Sequence, residues 1–403
     1  MYCGEKRGAR IGAQAGISCA PQVVPPLSLG AVRVHRGLDF LKLSFWVDWK
    51  DQVFLELLEQ KKSELQKTEA EKVAPFRYVG REWNVFRAGT QIYPFRLQQG
   101  DVTLLLNKRN SNTNFPCVRL EIGSLTSQTD LELTVIGMMS FLKDCGATIV
   151  KEQVSEVHLA ADFIGLDIAG LGLENPGRWV ARAREFSPHY ENWEITGCSL
   201  GKGDIMLRCY DKVRELRSAE HKQEIFRKLW GVDRFDELPV TRVEYQLRRP
   251  VLKTFKGVDC RGGLSSVSVL LKSLSALWRY CTHDWARLMR STVDRKGKNQ
   301  AHAIISEFWQ VVKGIVWDDA LSVFRSKETK HKDISTLRKQ VLGGMMSIVA
   351  FYVQDIYDFS EIKKVAQKLI DEDLSLFLKF DEDEFFKRMI CKRNEVVFET
   401  IPF

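Results

Sequence analysis

Residues alternate between apolar and polar over 205–212, where Ile205, Leu207 and Cys209 fall on one side and Arg208, Tyr210 and Lys212 on the other. Such a period of two predicts a strand with two unlike faces. Two further stretches alternate in the same way. Over 154–163, Val157, Leu159, Ala161 and Phe163 form an apolar face opposite His158 and Asp162. Over 240–249, Val243, Tyr245 and Leu247 oppose Arg242, Glu244, Gln246 and Arg248. If the three strands are neighbours in one sheet, their polar faces pool into a site.

Upstream, the pattern predicts a strand at 38–47, a charged amphipathic helix at 52–71, strand segments over 76–107 broken at Gly80, Gly89, Pro94 and Gly100, a strand at 117–122, and a helix at 129–145. The second half repeats this order: the 154 strand, a helix near 178–186, the Tyr210 strand, a helix over 213–230, and the 240 strand. Asn107-Lys108 aligns with Asp211-Lys212, Arg119-Leu120-Glu121 with Arg242-Val243-Glu244, and Ser44-Phe45 with Asp162-Phe163. A degenerate internal duplication follows. Leu106 then takes the place of Tyr210, and Ser44 that of Asp162, so the first copy lacks the chemistry of the second. From Leu264 the period becomes helical, with further helices near 301–317, 337–356 and 361–378. The expected architecture is α+β: two degenerate repeats of antiparallel sheet with packed helices (37–150, a non-catalytic repeat that grips DNA, and 151–260, the catalytic one), followed by an all-helical C-terminal region (261–403). Residues 1–36, rich in Gly, Ala, Ser and Pro, read as a disordered leader.

Composition narrows the class. The 403 residues, 44% of them hydrophobic, suffice for two or three compact units. A formal net charge of +8 favours an anionic partner, nucleic acid first. The nine cysteines are scattered without a Cys-x-x-Cys spacing, which indicates neither a disulfide framework nor a zinc site and fits a reducing cytoplasm. No run approaches the roughly 18 apolar residues of a membrane span, so no membrane partner is expected. A basic loop follows Arg325, where Lys330 and Lys332 are candidate duplex contacts. In the first repeat, Arg77, Arg81, Arg87, Arg96, Lys108 and Arg109 interleave with Phe76, Tyr78, Trp83, Phe86 and Tyr93. That mixture suits either a DNA-gripping face or a sandwich core.

A phenol flanked at i−2 and i+2 by cations, as Tyr210 is by Arg208 and Lys212, is an unusual display on a sheet, since the cations favour the phenolate and can grip an anion that it attacks. Nucleotide-hydrolysis, serine-hydrolase and zinc-protease motifs are absent, and so is a His-hydrophobic-His pair, His158 standing alone.

The order of an Asp-ended strand, a Gly-rich turn leading into Arg-x-Tyr-Asp-Lys (208–212), a helix, and Thr-Arg-Val-Glu (241–244) resembles the replication initiation factor family, over roughly residues 37–255. That family comprises rolling-circle initiators of plasmids and filamentous phages and related relaxases of conjugative elements. The resemblance implies that Tyr210 is the nucleophile of a site-specific endonuclease and strand transferase and that Asp162 and Glu244 hold a divalent metal, Mg²⁺ or Mn²⁺; on the same polar faces Arg208, Lys212, Arg242 and Arg248 are expected to offset phosphorane charge, with Arg248 also on the DNA. Relatives often carry an acidic residue where this chain has His158. Imidazole there is a competent ligand for Mn²⁺ and a poorer one for Mg²⁺. The implied partners are origin DNA, single-stranded or cruciform, a host helicase, and a second copy of the chain. A conjugative relaxase and a non-catalytic nucleic-acid-binding protein on the same fold are the alternatives.

Overall fold

The computed structural model describes residues 32–67, 71–112, 115–129, 131–256, 263–293, 303–317, 323–325, 334–353 and 358–380. It has the expected α+β architecture, a large antiparallel sheet with packed helices. The chain runs through β1 (Arg33–Trp49), α1 (Val53–Lys67), β2 (Val73–Tyr78), β3 (Arg81–Phe86), β4 (Phe95–Gln99), β5 (Val102–Leu106), β6 (Val118–Ile122), α2 (Ser124–Thr129), α3 (Leu131–Asp144) and β7 (Ala147–Ile164). It continues through β8 (Trp179–Ala181), β9 (Phe186–Glu191), β10 (Glu194–Leu200), β11 (Ile205–Asp211), α4 (Lys212–Arg217), α5 (Glu220–Trp230) and β12 (Val240–Arg248).

Eleven strands form one sheet in the order β2-β3-β4-β5-β6-β1-β7-β12-β11-β10-β9. Counted outward from the central pair, β1, β6, β5 and β4 on one side mirror β7, β12, β11 and β10 on the other. The register carries the relation to single residues: Ser44 pairs with Arg119 as Asp162 pairs with Arg242. Phe40 and His158, equivalent in the two copies, pair with each other, so the pseudo-two-fold passes between them. One offset in the sequence alignment is corrected here, since Leu105 rather than Leu106 lies opposite Arg119 as Tyr210 lies opposite Arg242.

Period-two alternation makes the two faces of the sheet unlike. The apolar face (Leu41, Leu43, Phe45, Val157, Leu159, Leu207, Val243, Tyr245 and Leu247) is closed by α1, by α3 and by apolar residues of 264–317, all in one core. Tyr245 lies there fully buried, its hydroxyl donating to the Cys281 carbonyl at 3.0 Å. On the opposite face, α4 and α5 pack Val213, Leu216, Phe226 and Trp230 over Ile164 and Val240 in a second cluster. That cover reaches only one end of the polar face and leaves the rest as an open cleft.

Two helical expectations are corrected, and an open reading of the first-repeat aromatics is narrowed. No helix forms at 178–186: Pro176 starts a single 3-10 turn, after which Trp179–Ala181 pairs with Ala286–Leu288, and β9 forms a hairpin with β10. Pro188 sits in β9, the edge strand, where a missing N–H is tolerated. The aromatics of the first repeat belong largely to the core, with Trp83 and Tyr93 buried and Phe76 and Tyr78 packed against Phe54. After a single turn, α6 (Arg249–Leu252), the helical stretch expected from Leu264 is broken into α7 (Val267–Leu271) and α8 (Leu274–Arg279), and the helix expected near 301–317 is shortened to α9 (Glu307–Lys313). Among the described residues beyond Arg325, α10 (Ile334–Tyr352) packs on α11 (Phe359–Phe380) in a unit of its own. No helix among the described residues is long and apolar enough to cross a membrane.

Candidate active site

The cleft has a volume of about 560 Å³ and lies on the polar face of β1, β7, β12, β11 and β10. Three adjacent strands supply its centre, because Arg208 lies opposite Glu244 and Tyr210 opposite Arg242 across β11–β12, while Gln246 lies opposite His158 across β12–β7. The pooled polar face inferred from alternation is therefore present as a surface.

Glu244 is the hub. Its Oε1 accepts from Arg208 Nη2 at 2.5 Å and lies 2.9 Å from His158 Nδ1, and its Oε2 accepts from the Tyr210 hydroxyl at 2.9 Å. The carboxyl is buried, which opposes its charge, but His158 and Arg208 more than offset this and hold it well below the usual carboxylate range. His158 Nε2 lies 3.0 Å from Glu156 Oε1, which also accepts from Gln246 at 2.5 Å; Glu156 Oε2 accepts from Lys42 Nζ at 3.1 Å. Burial likewise opposes the Glu156 charge, and His158 with Lys42 bring its pKa down to about 2. The imidazole, buried yet held between two carboxylates, is raised above its ordinary value.

Tyr210 differs from expectation in its titration. Removal of its hydroxyl from water and the neighbouring Glu244 charge push the phenol well above 10, outweighing Arg242. Lys212 caps no phosphate-sized space: it begins α4, is almost fully buried, and its Nζ sits 2.5 Å from Glu215 and 5.8 Å from the centre of the Tyr210 ring. The resting site thus holds a protonated phenol aimed at an ionised carboxylate.

Asp39, His158 and Glu244 each offer a ligand atom within 4.8 Å of the others. One imidazole and two carboxylates make a donor set suited to Mn²⁺, and to Mg²⁺ less well. Asp39 escaped the sequence reading because β1 carries a bulge there: Leu38 pairs with Leu159 and Phe40 with His158, leaving Asp39 as the extra residue. The bulge also switches the parity of β1, from Gly37 on the polar face to Phe40 and Lys42. Glu156 and Lys42 were missed although Glu156 shares the parity of His158.

Asp162 lies elsewhere. Fully buried under α5, it accepts from Arg242 Nε at 2.5 Å, from Arg242 Nη2 at 2.8 Å and from the Trp230 indole at 2.8 Å, so both oxygens are engaged. Arg242 bridges onward to Asp39. Asp162 is therefore tied to a candidate metal ligand through one guanidinium without itself joining the cluster. Arg248, opposite Glu156 at the end of β12, is exposed and does not line the cleft. Lys330 and Lys332 lie outside the described residues.

No protein-family model and no curated protein matches the sequence. Among solved structures, the chain is similar to a rolling circle replication initiator protein from Geobacillus stearothermophilus. The identity is 13% and the TM-score 0.33, with 70% of this chain and 96% of that chain covered. The functional reading rests on the site itself: a half-buried phenol and a cation on one carboxylate, Glu244, which is also one of three residues whose ligand atoms lie within 4.8 Å of one another and could hold a metal.

Proposed function

We propose that this chain is a metal-dependent DNA strand transferase that nicks and rejoins single-stranded origin DNA through Tyr210, as a rolling-circle replication initiator does. The observation that carries the reading is the Tyr210 hydroxyl donating at 2.9 Å to Glu244, a member of the Asp39/His158/Glu244 cluster. Nucleophile and candidate metal ligands then meet at one carboxylate.

In the reaction the Tyr210 oxygen attacks phosphorus, a Tyr–O–P bond forms and the P–O3′ bond breaks. The product is a 5′-phosphotyrosine and a free 3′-hydroxyl able to prime synthesis. Glu244 orients the hydroxyl, the phenolic proton is released to solvent as the oxygen attacks, and the departing 3′ oxygen takes up a proton from solvent. Asp39, His158 and Glu244 would hold a divalent ion, which would supply Lewis-acid polarisation of the scissile phosphate. Arg208, about one-third exposed and already on Glu244, is positioned to share its charge with the phosphorane; losing one such donor typically costs on the order of 10²–10³ in rate. Arg242 acts at one remove, holding Asp39. A conjugative relaxase would use the same chemistry on a transfer origin.

The test incubates the protein with 5′- and 3′-labelled single strands from the element's own sequence and Mn²⁺ or Mg²⁺, followed by a denaturing gel and peptide mapping. The expected adduct maps to Tyr210, disappears in Tyr210→Phe with DNA binding retained, and persists in Tyr245→Phe. An adduct on another residue removes Tyr210 from the role. No adduct across the panel leaves a non-catalytic nucleic-acid-binding protein.

A further inference from the structure

The β9–β10 hairpin ends in a two-residue turn, Glu191 pairing directly with Glu194 around Asn192 and Trp193. Both turn residues have positive φ, 51° and 68°, the signature of a type I′ turn. Asn suits the first position. The second favours Gly, and a bulky aromatic in the left-handed region is a strained outlier. Trp193 is also 98% exposed, and Tyr190, three residues earlier, is 55% exposed. The fold gains nothing from this indole: it adopts a costly backbone and buries nothing.

The turn is nonetheless braced. Two like charges facing each other across a hairpin end repel, yet Arg214 at the start of α4 donates to Glu191 at 2.9 Å and to Glu194 at 2.9 Å, one nitrogen to each. Arg214 is itself fixed by Asp211, whose side chain caps α4 and accepts from the Arg214 N–H at 3.0 Å. The fork neutralises the pair, holds both strands, and ties the tip to the residue next to Tyr210. On the same hairpin Gly197 pairs with Tyr210, and His189, which lines the cleft, lies 2.8 Å from Ser199. Gly197 lies four residue steps beyond Trp193, about 13 Å of strand, a span of about four stacked nucleotides.

We infer that Trp193 is a stacking platform for an unpaired base of the DNA strand that enters the Tyr210 cleft, presented on a braced hairpin a few nucleotides from the cleaved phosphate. This deepens the strand-transferase reading and rests on it for the identity of the ligand. A single strand fits better than a duplex, because an exposed indole offers a π-face that any unstacked base can use, and base–aromatic stacking tolerates sequence.

Trp193→Gly gives the decisive variant, since glycine is the preferred residue at this turn position and the hairpin should be retained or stabilised. Affinity is measured by fluorescence anisotropy in the Tyr210→Phe background with EDTA, so that cleavage plays no part, using a fluorescein-labelled mixed-sequence single strand of at least ~16 nucleotides and its duplex. Trp193→Gly should bind the single strand roughly five- to a hundredfold more weakly, Trp193→Phe should recover part of the loss, and duplex affinity and melting temperature should hold. Equal single-strand affinity in Trp193→Gly overturns the inference while leaving an adduct at Tyr210 intact, and would turn attention to a protein partner for the indole. A loss equal on single strand and duplex also overturns it, as does a parent protein that binds no DNA, which would remove the strand-transferase reading as well.

Discussion

In one half of the sheet Ser44 of β1 faces Arg119 of β6, which faces Leu105 of β5; in the other, Asp162 of β7 faces Arg242 of β12, which faces Tyr210 of β11. The backbone pairing is the same and the environments are not. Arg119 lies over the Tyr93 ring at 4.9 Å, and Ser44 meets Ser155 at 2.8 Å. Arg242 is locked between Asp162 and Asp39, with its guanidinium 5.1 Å from the Phe226 ring. Glu121 pairs with Lys42 at 3.5 Å, while its counterpart Glu244 is buried among His158, Arg208 and Tyr210. One copy of a duplicated unit thus keeps an ordinary polar surface, and the other concentrates charge under a helical cover. The quiet half still contributes: because the pseudo-two-fold runs between Phe40 and His158, Asp39 and Lys42 of β1 reach the site from across it.

The largest expected difference between the halves is in stability. Arg242→Met should destabilise by about 3–5 kcal/mol, since removing one partner of a buried ion pair strands the other charge. Urea unfolding checks this, and a loss below about 1 kcal/mol would make the Asp162–Arg242 pair dispensable. The same pair sets an acid limb. Burial opposes the Asp162 charge, but Arg242 and the Trp230 N–H outweigh it and hold the carboxyl below its ordinary range. A carboxyl lowered on folding contributes stability above its unfolded value, about 3.9, and loses it as pH falls through the folded value. Stability should therefore fall below about pH 4 in the parent, and less steeply in Asp162→Asn.

A smaller effect separates metal holding from scaffolding. Asp39→Asn should weaken Mn²⁺ binding, read by calorimetry, by at least about 10–100-fold, the loss typical of removing even an outer-shell partner. Asp162→Asn should lower the melting temperature more than Asp39→Asn does, and weaken Mn²⁺ binding less. The reverse ranking would return Asp162 to the ligand set and take Asp39 out.

Much of this was legible in the chain because period-two alternation fixes which side chains share a face. Residues 205–211 and 240–248 run without a register shift, so Arg208, Tyr210, Arg242 and Glu244 could be assigned to one surface from parity alone. Parity fails where β1 bulges at Asp39, since a bulge is set by pairing with a distant strand and leaves no local mark. Parity also says nothing about which part of a face a later element will cover. Asp162 and Glu244 share a surface, and only the packing of Phe226 and Trp230 from α5 decides that one is sealed in and the other opens to the cleft. The hairpin at Trp193 was missed because an Asn-Trp turn lacks the glycine that announces a type I′ hairpin.

The smallest expected effect completes the contrast between the two arginines. Arg119 occupies in β6 the position of Arg242 in β12, but it faces Ser44 in place of a carboxylate, and its contact with Tyr93 is a cation–π contact. At a partly exposed site such a contact contributes about 0.5–1 kcal/mol. Methionine preserves most of the apolar stem that covers the Tyr93 ring, so Arg119→Met should cost at most about 1 kcal/mol. Urea unfolding beside Arg242→Met gives the comparison directly. Equal losses at both positions would mean that the shared register, and not the buried carboxylates, makes Arg242 important; a loss confined to Arg242 assigns the difference to Asp162 and Asp39.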